Sequence, residues 1–127
     1  MPFINETDMV NRYLWEHCRQ CPQWKKVRLG KVNTQAEAYG AKVLLRWADA
    51  VYIDEAAGRI NIIEAKLRPD PSAIGQLELY SQLIRETPEF SAYADYAVQL
   101  ISLNAMEDLE VRRFAESKGI KFIVMSG

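Results

Sequence analysis

The 127-residue chain contains no apolar run approaching the roughly 20 residues that a bilayer-spanning helix takes. Its opening, Met1-Pro2-Phe3-Ile4-Asn5-Glu6, has neither the basic segment nor the apolar core of a secretory signal. The expectation is a cytoplasmic protein with no membrane partner. Histidine is nearly absent, and cysteine is confined to Cys18 and Cys21. A structural zinc site takes four ligands, and there is no second Cys or His pair to complete one. A thioredoxin-like redox pair is disfavoured as well, because Cys18-Arg19-Gln20-Cys21 ends a helical pattern and runs into Pro22 instead of following a strand. Two reduced thiols are expected. Charge of one sign is also lacking: 16 Lys and Arg against 17 Asp and Glu leave a formal net charge of -1. General attraction to nucleic acid is thereby excluded, and such a partner would need a local basic patch. Lys25, Lys26, Arg28 and Lys31 form one candidate patch, and Arg112, Arg113, Lys118 and Lys121 another. No repeat, low-complexity segment or linker divides the chain, so 1–127 reads as a single domain.

What is present is a regular alternation of helix and strand patterns. Asn5 reads as an N-cap with Glu6 and Asp8 in the first turn, followed by Met9, Val10, Tyr13 and Leu14 at helical spacing. Pro22 stops that helix. The basic and apolar run 24–32 contains a stretch, 26–29, that alternates as a strand does, and 33–40 is polar and small and reads as a loop or short helical turn. Residues 43–54 and 59–67 read as two strands joined by the turn Asp54-Glu55-Ala56-Ala57-Gly58, a hairpin. Pro69-Asp70-Pro71-Ser72 then caps a helix running to about residue 86, with Pro88 just beyond. A strand over 93–103, an amphipathic helix over 106–118 ended by Gly119, and a last strand over 120–125 complete the order αβββαβαβ. Such an order implies an α/β fold in which helices pack on the faces of a central mixed sheet.

Three charges interrupt the hairpin. Strand side chains repeat every second residue, so Glu64 and Lys66 share a face with Ile60 and Ile62 while Ala65 points away. Asp49 shares its strand's face with Trp47, Val51 and Ile53, and hairpin pairing brings it toward Glu64. Burying charges is costly unless they are paired or held for chemistry. Two carboxylates on adjacent strands suit a hard cation such as magnesium or manganese, and a neighbouring lysine can stabilise charge developing on a phosphate. Structural roles stand beside this reading. Glu64 and Lys66 can form a surface ion pair, and Asp49 can bond a backbone amide or Arg46. Tyr80 can belong to an apolar helix stripe with Ile74, Leu77, Leu83 and Ile84.

Asp49 followed by Glu64-Ala65-Lys66 at the end of a hairpin, and then by a helix, resembles the PD-(D/E)XK nuclease superfamily. The order of elements along nearly the whole chain resembles that family's restriction-endonuclease-like core. Gln76-Leu77-Glu78-Leu79-Tyr80 is similar to the Gln-x-x-x-Tyr motif of the RecB-like branch. The resemblance implies Asp49 and Glu64 as ligands of Mg2+ or Mn2+, Lys66 as the catalytic lysine, and the carbonyl of Ala65 as an extra ligand. It implies Gln76 and Tyr80, one helical turn apart, as residues that orient the lysine region or meet the DNA backbone. A further acidic ligand from the first helix would be Glu6, with Glu16 in reserve. Ala48 stands where the family's motif has proline before the aspartate. The implied activity is metal-dependent hydrolysis of DNA phosphodiester bonds, on duplex or branched DNA, by a phage or mobile-element type of nuclease that works as a homodimer or under the direction of a protein partner. RNA stays open as a substrate, because such a site handles the phosphate and not the sugar. The alternative is a nuclease-like fold kept as a catalytically inactive nucleic-acid-binding or assembly module.

Overall fold

Asn5 opens the first helix as its composition predicts: its side chain accepts the Asp8 N–H at 2.8 Å, and helix α1 runs Glu6–Cys18. This computed structural model describes residues 3, 5–30 and 46–126, so the loop expected over 33–40, Lys31 and the start of the strand expected over 43–54 lie outside the described residues. After α1 come β1 (Gln23–Leu29), β2 (Arg46–Asp54), β3 (Arg59–Lys66), α2 (Pro71–Leu83), β4 (Ala97–Asn104), α3 (Leu109–Ser117) and β5 (Lys121–Val124). Among the described residues the order αβββαβαβ is as expected, and their five strands form one sheet in the order β1-β2-β3-β4-β5. β1 to β3 pair antiparallel, while β4 and β5 are added in parallel, making the sheet mixed. The parallel pairings need crossovers, which α2 and α3 supply.

Helices cover both faces. On one, Val51, Ile53, Ile60 and Ile62 pack with Ile74, Leu77 and Tyr80 of α2 and Val111 and Ala115 of α3. On the other, Ala50, Tyr52, Ile63 and Ala65 pack with Met9, Val10, Tyr13 and Leu14 of α1. The middle strand β3 is therefore buried on both sides from Ile60 to Ala65, which explains its nearly unbroken apolar run. Tyr13 and Tyr52 face each other in the second layer with their hydroxyls 3.3 Å apart, and burial raises both phenol pKa values.

Two expectations shift at their edges and one changes in kind. The strand expected over 93–103 begins only at Ala97, because Pro88 starts a 3₁₀ turn, Pro88–Tyr93, that buries Phe90 against Trp24. The helix expected over 106–118 begins at Leu109, since Asp108 caps it by accepting the N–H groups of Glu110 and Val111. Cys18 and Cys21, expected as reduced thiols, are joined in a disulfide across the turn that ends α1.

The largest departure lies inside the sheet. β1 and β2 keep one register from Gln23↔Tyr52 to Leu29↔Arg46, yet the pair this places between Lys25↔Ala50 and Val27↔Ala48, Lys26 opposite Asp49, is missing from the ladder. Ala48 and Val51 both pack on the α2 side, as do Trp24 and Val27. Unbroken alternation would put residues three apart on opposite faces. The faces thus reverse at Lys26 and Asp49, where Lys26 adopts φ 51, the only positive φ of a non-glycine among the described residues. Asp49 does not continue a face with Trp47, Val51 and Ile53: the last two are core, and Trp47 is 59% exposed.

Candidate active site

The reversal at Asp49 coincides with a parting of strands. β2 and β3 pair from Asp54↔Arg59 to Ala50↔Ile63 and no further. Beyond that point the Asp49 side chain takes over from the backbone: its Oδ2 accepts the Ala65 N–H at 2.7 Å. A buried amide left without a partner costs about 1–3 kcal/mol, so this bond both fixes the carboxylate and satisfies the strand. The other oxygen, Oδ1, receives the Lys26 ammonium at 2.7 Å. Asp49 thus bonds a backbone amide, one of its expected structural roles, and pairs with Lys26; the side chain of Arg46, its other expected partner, lies outside the described residues.

Glu64 lies on the α2 side of β3, continuing the face of Ile60 and Ile62, and is 7% exposed. Burial, and next the negative charge of Asp49, push its carboxyl up to about 7 from an ordinary value of 4.5, against the opposing pull of Lys66. Tyr80 of α2 reaches the same spot. Its hydroxyl donates to the Trp47 carbonyl at 2.9 Å and lies 3.4 Å from Glu64 Oε1. Tyr80 is core, as the apolar stripe of its helix suggests, and at the same time a polar clasp between β2 and β3. One turn earlier, Gln76 keeps its Oε1 buried with no hydrogen-bond partner among the described residues. Lys66, half-buried at the end of β3, forms no ion pair among the described residues, so the pairing of Glu64 with Lys66 that would have neutralised both is not made.

The sheet therefore brings together Asp49, Glu64, Ala65, Lys66 and Tyr80, with Gln76 on the adjoining helix. It ties Ala65 to the group through its N–H. The acidic candidates of α1 fare differently. Glu16 pairs with Arg12 at 3.5 Å on the surface, some 15 Å along the helix from Glu6 at 1.5 Å per residue. Glu6 is half-buried and adds to the negative field around Lys26, but no three acidic, His or Cys side chains among the described residues gather into a metal-holding group. The donor set is two carboxylates. That suits Mg2+ or Mn2+, which are commonly held by one or two carboxylates with water and substrate phosphate completing the shell. The carboxyl of buried Glu64, raised by burial and by Asp49, and the Gln76 carbonyl without a partner among the described residues fit a site built to receive a cation and its water.

Lys26 is the residue that strand periodicity missed. It stood out only as one member of a basic run, and its place beside Asp49 depends on the β1–β2 register. Two of the four cations in the second basic cluster are neutralised, Arg112 by Glu107 at 2.7 Å and Lys118 by Glu78 at 3.4 Å. In the first, Lys25 and Arg28 are exposed and make no ion pair among the described residues, and Arg28 lies over the Trp47 ring at 5.7 Å.

Neither a family model nor a curated protein matches the sequence. Solved structures do match the fold. A repair endonuclease from Pyrococcus abyssi superposes with a TM-score of 0.60 at 15% identity, over 99% of this chain and 49% of that one. EndoMS in a complex with dsDNA superposes with 0.58 at 17% identity, over 99% of this chain and 46% of that one. EndoMS in its apo form gives 0.56 at 21% identity, over 100% and 48%. The chain spans about half the length of these proteins, and at such identities the likeness is one of fold: the mixed five-stranded sheet flanked by helices superposes on the repair endonuclease from Pyrococcus abyssi and on EndoMS. Among the described residues no helix is long and apolar enough to cross a membrane.

Proposed function

We propose that the chain is a metal-dependent nuclease of the PD-(D/E)XK type that hydrolyses DNA phosphodiester bonds. One observation carries the reading. At the point where β2 leaves β3, the Asp49 carboxylate replaces the ladder by binding Ala65 N–H, and this sets it beside a buried Glu64 and a Lys66 that forms no ion pair among the described residues. An ion-pair network built for stability would have joined Glu64 to Lys66.

Asp49 and Glu64 would hold a magnesium or manganese ion, with Glu6 and the Ala65 carbonyl as the additional ligands the motif suggests. When bound, such an ion shields the phosphate and lowers the pKa of water. The protein's own contribution is orientation and charge. Lys66 places a positive charge where negative charge grows on the phosphate. Tyr80 fixes Glu64 relative to β2, and the Gln76 carbonyl is free to accept from the water or the lysine region. Hydrolysis adds a water oxygen to phosphorus and breaks one phosphorus–oxygen ester bond, with the proton passing to the leaving alkoxide and no covalent enzyme intermediate. Duplex DNA is the first substrate to try, since the EndoMS neighbour was seen with dsDNA, followed by branched DNA and RNA. A domain of this size reads the shape of a duplex unless a second copy or a partner protein adds contacts.

The alternative, an inactive binding or assembly module, draws on the ammonium already seated on Asp49 and on the absence of a third gathered ligand among the described residues. The two readings separate in a cleavage assay with Mg2+ and Mn2+ on single-stranded, duplex and branched DNA, beside Lys66→Ala and Glu64→Ala. Cleavage abolished by both substitutions establishes the nuclease. Silence on every substrate, with no metal binding, establishes the module.

A further inference from the structure

Lys26 has three properties that a strand residue does not ordinarily combine. It faces Asp49 at the one position where the β1–β2 ladder is interrupted. Its backbone sits at φ 51, a conformation unfavourable for a side chain with a Cβ and favoured by glycine. Its ammonium bonds Asp49 Oδ1 at 2.7 Å while its side chain stays 59% exposed and that of Asp49 only 11%. A lysine kept in a strained conformation beside a candidate active site calls for a role there, because strain of this kind persists where the surroundings demand it.

We propose that Lys26 is a resident counter-ion of the site: it occupies Asp49 Oδ1 in the substrate-free protein, yields that oxygen to the divalent ion, and passes its ammonium to a phosphate oxygen of the bound nucleic acid. The proposal rests on the metal-site reading above. Oδ2 is committed to the Ala65 N–H, so Oδ1 is the oxygen left for a cation. An ammonium in contact with Oδ1 opposes the binding of a divalent ion there, since like charges at that distance repel. The exposed, flexible stem of lysine lets the head leave without unpacking the core, and an ion pair whose ammonium side is open to solvent is weak enough for a divalent ion to displace. Lys25 and Arg28 extend positive charge along the same strand, which gives the released ammonium a phosphate backbone to join.

The test is a calorimetric titration of Mn2+ into the DNA-free protein, for the parent, Lys26→Met, Lys26→Gly and Asp49→Asn, with DNA affinity in Ca2+ measured by anisotropy. Lys26→Gly relieves the positive φ while removing the ammonium, so a folding defect in Lys26→Met cannot mask the result. Expected are Mn2+ affinities about threefold to tenfold tighter in both Lys26 variants, loss of binding in Asp49→Asn, and weaker DNA binding with a salt dependence shallower by about one phosphate contact. Mn2+ binding that depends on Asp49 but is unchanged or weaker in both Lys26 variants makes Lys26 a purely structural clasp and overturns the proposal alone. Tighter Mn2+ binding with unaltered DNA affinity overturns the transfer to phosphate. Parent protein that binds no Mn2+, or binds it equally well as Asp49→Asn, overturns this proposal and the metal-site reading together.

Discussion

Replacing Glu64 with glutamine should make the protein more stable while removing the cleavage proposed for it. The folded-state carboxyl of Glu64 is pushed up to about 7 from 4.5, by burial and by Asp49. A raised carboxyl pKa means the fold prefers the protonated form. The associated stability is fully present below the ordinary value, drains away as pH rises from about 4.5 to about 7, and is gone above that window. At about 1.4 kcal/mol per unit the shift corresponds to at most about 3.5 kcal/mol; contact with solvent at the end of the strand brings the expectation to about 1–3 kcal/mol. Glutamine has nearly the same shape, retains an oxygen near the Tyr80 hydroxyl and carries no charge. In thermal melts at pH 8 with chelator, Glu64→Gln should therefore gain about 4–10 °C, from the entropy of unfolding typical of a chain this long. At pH 5 the gain should largely vanish. A Glu64→Gln protein that melts lower than the parent at pH 8, or whose gain is the same at both pH values, would refute the reasoning that Glu64 is held charged at a cost to the fold.

Tyr80→Phe should destabilise the protein by about 1–2 kcal/mol in urea unfolding, because the Trp47 carbonyl loses its donor, and should lower the cleavage rate more than duplex affinity. Unchanged stability would mean that water replaces the hydroxyl without loss. Calcium should support DNA binding without turnover, since it takes oxygen ligands but activates water poorly; rapid cleavage in calcium would point to a different mechanism. Substituting Lys25 and Arg28 together with alanine should weaken DNA binding and reduce the slope of log affinity against log salt by about two, and an unaltered slope would remove both from the DNA footprint.

The order of elements was readable because its signals are local. Asn5, Asp70 and Asp108 cap helices through bonds to nearby amides, and β3 shows its burial on both faces as an apolar run. The shared face of Glu64 and Lys66 follows from strand periodicity alone. That same periodicity misplaced the neighbours of Asp49. Alternation holds only while the ladder is intact, and the interruption opposite Lys26 involves a strand more than twenty residues away. The start of β4 was misread because Tyr93 and Tyr96 carry strand-like aromatic character, while Pro88 directs the chain into a turn. The pairing of Cys18 with Cys21 was legible as a spacing but not as a bond. Glu6 was readable as a first-turn acid, whereas its relation to Asp49 depends on how α1 crosses the sheet.

The strands of the sheet lie side by side in the order in which the chain presents them. No strand has to be inserted between two that are already joined, so the sheet can lengthen at one edge as synthesis proceeds. Asp49, Glu64, Lys66 and Tyr80 all belong to the segment made before β4. β4 pairs along the whole of β3, from Arg59↔Ala97 to Lys66↔Asn104. Until it arrives, the strand carrying the candidate chemistry is an open edge rich in isoleucine, the kind of template that recruits other chains. The segment from β4 onward covers that edge, and shortening the chain into β4 should yield aggregates before it yields a smaller folded domain.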